Sequence, residues 1–122
     1  DEVQDGEGGV VGAAGPLYLR RDETTRKYTT ITGQMRFDVA DVASLVRHGV
    51  WEDVIMHEMG HVIGIGTLWY LNGLVDRSTL NYLGANAVNV WKNDWGCEST
   101  DAPPVEKDGR PGDGTYGGHW DE

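Results

Sequence analysis

The sequence predicts a single α+β domain over residues 1–122, with two short strands followed by three helices. Three observations support this class. Hydrophobic residues make up 39% of the 122 residues, which is enough to bury a core. Residues 17–20 and 29–37 alternate loosely between apolar and polar side chains, whereas residues 38–49, 52–63 and 78–91 repeat apolar side chains at helical spacing. From residue 93 onward Gly, Pro and Asp interrupt both patterns, so we expect a loop-rich C-terminal segment.

The two strands are predicted at residues 17–20 and 29–37, which carry Thr, Tyr, Ile and Phe. The charged sequence RRDETTRK joins them as a turn. Residues 1–16 are acidic and then rich in glycine, and we expect them to form a loop or an irregular edge strand.

The three helices follow from the positions of apolar, capping and glycine residues. Asp38 is a good N-cap for the first helix, whose apolar positions repeat up to Gly49. The second helix is predicted at residues 52–63 and ends at a glycine-rich turn. A third helix is predicted at residues 78–91, where Leu, Ala and Val recur at helical spacing.

Charge and composition exclude several classes of partner. The chain has 10 Lys and Arg residues against 20 Asp and Glu residues, a net charge of −10, whereas nucleic acids and anionic membranes attract clustered cations. No stretch approaches the length of a membrane-spanning apolar segment. Residues 1–9 lack the basic start and apolar run of a signal peptide. Cys97 is the single cysteine, so no disulfide can form within the chain.

The sharpest chemical signal is the motif H-E-x-x-H, which begins at His57 and ends at His61. Residues four apart lie on one face of a helix, so both imidazoles can reach one metal ion. Glu58 stands beside the first of them, where a carboxylate can act as the general base toward an attacking water. The alternative without a metal site is a surface helix with two unrelated histidines. Because the motif falls within a predicted helix, we favour the metal site.

A catalytic zinc site takes three protein ligands, and the third is not evident from spacing. The position six residues after the second motif histidine, where the commonest extended motif has a third histidine, is Thr67. Asp76 is the only acidic residue in 72–92, and no glutamate stands there to serve as a ligand. His48, at the end of the first predicted helix, and His119, in a glycine-rich loop, are the remaining histidine candidates.

A resemblance to a known family bears on this choice. The motif and its flanks resemble the active-site helix of leishmanolysin-like zinc metallopeptidases, whose third histidine follows a long insertion in a Gly-x-His-Trp-like context. Here 57 residues separate His61 from His119, which stands between Gly118 and Trp120. The similar segments are spread along the chain, although the zinc motif alone is specific: residues 8–16, 33–42, 54–69 and 104–122.

The resemblance implies a metzincin-like zincin fold, with a small mixed sheet and an active-site helix that carries H-E-x-x-H. It implies that His57, His61 and His119 bind one catalytic Zn²⁺ and that Glu58 is the catalytic general base. The implied substrate is a protein or peptide, cleaved at a peptide bond, and the implied location is secreted or at the cell surface. By the same resemblance, the glycine-rich segment 9–16 lies near the edge strand on which metzincins bind extended substrates.

The chain also departs from the family pattern. Metzincins carry a methionine-containing turn after the third histidine, whereas this chain stops three residues after His119. Its methionines, Met35, Met56 and Met59, all precede that position. We therefore expect a partial catalytic domain, whose activity in isolation has to be tested.

Two other readings of the zinc motif remain open. One is a catalytically silent zinc-binding or structural module of a larger secreted or surface protein, with Cys97 as a fourth ligand, because structural sites usually close with four protein ligands. The other is a zinc hydrolase that does not cleave peptides.

Weaker patterns concern calcium and tryptophan. Asp108 and Asp113 stand among glycines and could bind calcium through oxygen, although their spacing matches no EF-hand and a solvated turn is favoured. Most tryptophans are expected to pack, with Trp69 and Trp120 as candidates to line a cleft.

Overall fold

The computed structural model describes residues 3–97, 102–109 and 116–121. It is a small α+β fold with a two-stranded sheet and three helices, which confirms the predicted class. In chain order the elements are β1 (Gly12–Arg21), β2 (Tyr28–Phe37), α1 (Val39–His48), α2 (Trp51–Ile63) and α3 (Ala85–Asn93). The chain forms two compact units, Asp1–Thr67 and Leu68–Glu122, which are described in turn.

The sheet of the first unit is an antiparallel ribbon in which Gly12 pairs with Phe37 at one end and Arg21 with Tyr28 at the other. β2 begins one residue before its predicted start. β1 begins five residues earlier than predicted, because residues 12–16 pair with β2 despite a composition of Gly, Ala and Pro that is poor for strands. The described pairing is antiparallel, so the mixed sheet that the resemblance implies stays a prediction.

The small residues of the ribbon let helix α2 pack closely against both strands. A side chain at Gly33 would place its Cβ 2.6 Å from Val62 Cγ1 on α2 and 2.7 Å from the carbonyl oxygen of Gly15. Both distances are shorter than any normal contact, so the ribbon requires a glycine at Gly33. The residues that weaken the strand signal in the sequence are therefore the ones that this packing needs.

Helix α1 has the two caps that the sequence predicts. The Asp38 carboxylate accepts a hydrogen bond from the Ala40 N–H at 2.8 Å, and Gly49 ends the helix with a left-handed φ of 73°. Asp38 is also buried, with 2% of its surface exposed, and its second oxygen accepts from the N–H groups of Asp5 at 2.9 Å and Gly6 at 2.8 Å. One carboxylate thus caps the helix and fastens the N-terminal loop to it.

Helix α2 carries the H-E-x-x-H motif, as predicted. It begins at Trp51, whose ring packs edge-on against Phe37 of β2 with centroids 4.8 Å apart. It ends at Gly64, whose φ of 117° suits glycine and whose N–H bonds the Gly60 carbonyl at 3.2 Å. This left-handed residue turns the chain back, and the Ile65 N–H also reaches the Gly60 carbonyl, at 2.9 Å.

The second unit folds around four buried residues, with four partly buried side chains packed on them. Short antiparallel bridges, rather than a regular sheet, hold its segments together: Val75 with Tyr82, Asn81 with Pro104, and Val105 with Trp120. The buried residues are Trp69, Val75, Leu80 and Val105, and their partly buried neighbours are Tyr70, Leu74, Tyr82 and Tyr116.

The predicted start of the third helix is wrong, because helix α3 begins at Ala85 rather than at residue 78. The Asp76 carboxylate accepts from the N–H groups of Ser78 at 2.7 Å and Thr79 at 3.1 Å, which fixes a turn in place of a helix. Leu80 then adopts a left-handed φ of 54° and enters the core of the unit. The Leu80 side chain fits the apolar spacing of a helix, although the residue follows a turn.

Within the described ranges, no helix has both the length and the apolar character needed to cross a membrane.

The two acceptor roles of Asp38 predict the effect of replacing it with asparagine. In Asp38→Asn one oxygen remains to cap α1, but an NH₂ group takes the place of the other and faces the donors of Asp5 and Gly6. We expect thermal unfolding at pH 7 to occur several degrees lower. Asp22→Asn is the control, because its carboxylate bonds Thr24 and Thr25 within its own turn and should matter less.

The effect should depend on pH in a defined direction. The backbone N–H groups of Ala40, Gly6 and Asp5 hold the pKa of Asp38 below its usual value. Its contribution is therefore present above the unfolded-state pKa of about 3.9 and is lost as the pH falls through the lower folded-state pKa. The difference between parent and Asp38→Asn should shrink below about pH 4. Equal unfolding temperatures at pH 7 would show that Asp38 does not hold the loop.

Candidate metal centre

Helix α2 brings the two motif histidines together. His57 and His61 are four residues apart, and their Nε2 atoms lie 3.1 Å from each other. The rings meet nearly at right angles, with centroids 4.7 Å apart. Two nitrogens that bind one tetrahedral zinc ion at 2.0–2.1 Å are about 3.3 Å apart, so the separation in this helix is close to what zinc requires.

His61 is oriented by the turn that ends the helix. Its Nδ1 lies 2.9 Å from the carbonyl oxygen of Ile65, which can only accept a hydrogen bond. Nδ1 must therefore carry the proton, and in the neutral ring the lone pair is on Nε2, the nitrogen that faces His57. The Thr67 hydroxyl donates to the His61 carbonyl at 2.6 Å and fastens the turn to the helix.

Glu58 is the one buried residue of α2, with 6% of its surface exposed. Its Oε2 atom is buried and has no hydrogen-bond partner among the described residues. A buried carboxylate oxygen without a donor is costly, so this position calls for a donor that the described chain does not supply, such as a water or a substrate group. Oε1 lies against Gly12 of β1, where an added Cβ would be 3.1 Å away.

His119 is held by a short pairing of two segments in the second unit. The Glu106 N–H bonds the His119 carbonyl at 2.9 Å, and the Gly117 N–H bonds the Glu106 carbonyl at 3.0 Å. Gly117 has a left-handed φ of 72°, which permits the turn before the histidine. The His119 side chain is about three-quarters buried, and its Nδ1 lies 3.0 Å from Glu106 Oε2.

Three histidines, His57, His61 and His119, lie close enough together to hold a metal ion. Each offers one ring nitrogen, and these three atoms lie within 4.8 Å of one another. We call this group the histidine cluster. The donor set fits a borderline metal ion such as zinc, which favours imidazole nitrogen.

The other third-ligand candidates lie outside the histidine cluster in the part of the chain that the structure describes. The His48 Nδ1 lies 2.8 Å from the Ser44 carbonyl on its own helix. Asp76 is engaged in its turn, where the Ser78 hydroxyl and the backbone N–H groups of Ser78 and Thr79 hold its pKa below the usual value. The Cys97 sulfur lies 3.7 Å from the Trp95 carbonyl oxygen.

The structure bears differently on the two candidate cleft tryptophans and on the two candidate calcium ligands. Trp69 is 3% exposed and packs in the core of the second unit, so it lines no open cleft there. Trp120 is 41% exposed, and its ring lies against those of Trp69 and Tyr82 at centroid distances of 4.6 and 4.8 Å. Asp108 is exposed, whereas Asp113 lies outside the described residues, so the calcium site stays a prediction.

Glu106, whose carboxylate contacts His119, is a residue that no sequence motif singles out. It stands 13 positions before His119 in a segment without helical or strand periodicity. No spacing rule connects such a pair, because the contact depends on how the two segments pair in space.

Comparisons with known proteins identify no relative of this chain. No protein-family model, curated protein or solved structure matches it. The leishmanolysin-like assignment therefore stays a prediction from the motif residues, and the case for a function depends on the chemistry of the histidine cluster and Glu58.

The contact between Gly12 and Glu58 predicts a difference between two glycines of β1. In Gly12→Ala the new Cβ would lie 3.1 Å from both Glu58 Oε1 and Phe37 Cδ1, which is tight enough to displace a neighbour. In Gly15→Ala it would meet Thr67 Cγ2 at an ordinary 3.8 Å. We expect Gly12→Ala to lower the free energy of unfolding by about 1–3 kcal/mol. Gly15→Ala should be neutral or stabilising by about 0.4–1 kcal/mol.

Denaturant unfolding of both variants beside the parent measures this difference. Equal stability of the two alanine variants would mean that Gly12 does not make room for the Glu58 carboxylate.

Proposed function

We propose that this chain is the catalytic core of a zinc-dependent metalloendopeptidase of the leishmanolysin-like, metzincin type. The observation that carries the proposal is the histidine cluster together with Glu58, whose carboxylate has a buried oxygen without a partner among the described residues. The sequence resemblance adds the reaction class, because H-E-x-x-H followed by a distant histidine is the ligand pattern of that family.

The ligand count supports a catalytic rather than a structural ion. A structural zinc site usually has four protein ligands, whereas a catalytic site has three and keeps one position for water or substrate. Within the described part of the chain, three histidines and no cysteine or carboxylate make up the cluster. This composition supports the enzyme over the catalytically silent module, for which Cys97 would be the fourth ligand.

In the proposed mechanism, His57, His61 and His119 hold the ion. When bound, zinc supplies a Lewis acid that lowers the pKa of a water molecule toward about 7 and polarises the scissile carbonyl. Glu58 accepts a proton from the attacking water while the oxygen of that water bonds to the carbonyl carbon. Glu58 then returns that proton to the leaving nitrogen as the C–N bond breaks, so the first products are a carboxylic acid and an amine, and transfer of the acid proton to the amine gives a carboxylate and an ammonium group.

The proposed substrate is an extended segment of a protein or peptide. Strand β1, which begins at Gly12 beside Glu58, is the element on which such a segment would align by strand addition, as the resemblance implies. Secretion or display at the cell surface belongs to the same proposal.

Replacing Glu58 with glutamine tests the proposed general base. Glutamine has nearly the same shape but cannot accept and return a proton, so Glu58→Gln should lose about 10²- to 10⁴-fold in peptide hydrolysis while zinc remains bound. The matched control is Glu52→Gln, since Glu52 is exposed in the first turn of the same helix. Cleavage of a fluorogenic peptide library and zinc content per chain are the two readouts.

The outcomes separate the proposal from its rival. Full activity in Glu58→Gln would contradict the mechanism. Zinc bound by a parent chain that cleaves no peptide would instead favour the catalytically silent module.

A further inference from the structure

The contact between Glu106 and His119 has the geometry of a carboxylate that orients a metal ligand. Glu106 Oε2 lies 3.0 Å from His119 Nδ1, a hydrogen-bonding distance. An ionised carboxylate can only accept, so the imidazole must donate from Nδ1. In the neutral ring the lone pair then lies on Nε2, the other nitrogen, which is the one that can bind a metal ion.

The backbone fixes this contact from both sides. Glu106 receives the Gly117 N–H on its carbonyl and gives its own N–H to the His119 carbonyl. Its neighbour Val105 is fully buried and bridges to Trp120, the residue after the histidine. The carboxylate and the imidazole thus extend from two short segments that are paired along their backbones, which restricts the ring to a narrow range of orientations.

The same chemistry recurs at a second histidine of the cluster. His61 also directs Nδ1 to an acceptor, the Ile65 carbonyl at 2.9 Å. Two histidines from different parts of the chain therefore share one tautomer, although one acceptor is a backbone carbonyl and the other a side chain. Hydrogen bonds of this kind are a general feature of histidines that bind metal ions.

An ordinary ion pair is the alternative explanation. The two explanations predict different changes in stability and in metal affinity when Glu106 is replaced. Both side chains are about one-quarter exposed, at 23% and 24%, and ion pairs with access to solvent contribute little to stability. If Glu106 served stability alone, its loss would have a small effect on unfolding and none on metal binding. If it orients a ligand, its loss should lower metal affinity far more than stability.

We propose that Glu106 is a positioning residue of the metal centre, which holds His119 in the Nδ1–H tautomer with Nε2 available as a ligand. This inference rests on the proposed function, because it assigns Glu106 a role toward the metal ion that the histidine cluster would bind. It adds a carboxylate that no motif includes.

Metal affinity in a graded series of variants tests the proposal. Glu106→Ala removes the acceptor, whereas Glu106→Gln keeps a weaker, neutral one. Asp121→Asn is the matched control, since it removes one negative charge from an exposed residue two positions after His119. Zinc affinity is measured by competition with a chromophoric chelator at a pH above 7, where imidazoles are neutral.

We expect Glu106→Ala to bind zinc about 10- to 100-fold more weakly than the parent. Glu106→Gln should fall between them, and Asp121→Asn should match the parent. Thermal unfolding of the metal-free variants shows whether each one folds. If Glu106→Ala does not fold, the Glu106→Gln variant carries the test. Affinities equal to that of the parent in the folded variants would overturn the proposal.

A second readout needs no metal. Nitrogen-15 NMR of the metal-free parent should show His119 protonated at Nδ1, and Glu106→Ala should shift the ring toward the Nε2–H form. His119 in the Nε2–H form in the parent would also overturn the proposal. A parent chain that binds no zinc but has the Nδ1–H tautomer would count against the proposed function while supporting the orienting contact, so the two failures are distinguishable.

Discussion

The close approach of helix α2 to the β1–β2 ribbon is the constraint on which the first unit depends. At Gly33 an added Cβ would overlap both Val62 of the helix and the backbone of the neighbouring strand, and at Gly12 it would press on the Glu58 carboxylate. Because the ribbon presents backbone rather than side chains at these points, the helix lies close to it. That position buries Glu58 while His57, on the same helix, stays exposed.

A metal centre also requires that its imidazole rings be oriented, and hydrogen bonds orient the rings of His61 and His119. A hydrogen bond at Nδ1 fixes both the tautomer and the direction of a ring, which lowers the entropy lost when a metal ion binds. His61 obtains this bond from the turn that Gly64 makes possible, and His119 obtains it from Glu106. The glycine cap of α2 and the paired backbone segments around His119 therefore orient the two imidazole rings as well as shaping the backbone.

The sequence could predict what depends on local signals. Asp38 and Gly49 mark the ends of α1 because capping uses residues next to the helix, and H-E-x-x-H identifies its helix because the spacing of the ligands is the spacing of a helical turn. The apolar spacing predicts a helix at Leu80, which is wrong because that spacing does not reveal a turn fixed by Asp76. No sequence pattern marks Glu106, because its contact with His119 arises from the pairing of two segments that carry no periodic pattern.

X-ray absorption at the zinc edge of the zinc-loaded chain is the decisive test of zinc binding by the histidine cluster, because it reports which atoms surround the ion. We expect three imidazole nitrogens at about 2.0–2.1 Å from the zinc ion and one further light atom. In His119→Ala one imidazole should be lost, whereas His48→Ala should leave the spectrum unchanged. A sulfur neighbour at about 2.3 Å, as Cys97 would give, or an unchanged spectrum in His119→Ala would contradict zinc binding by the three histidines.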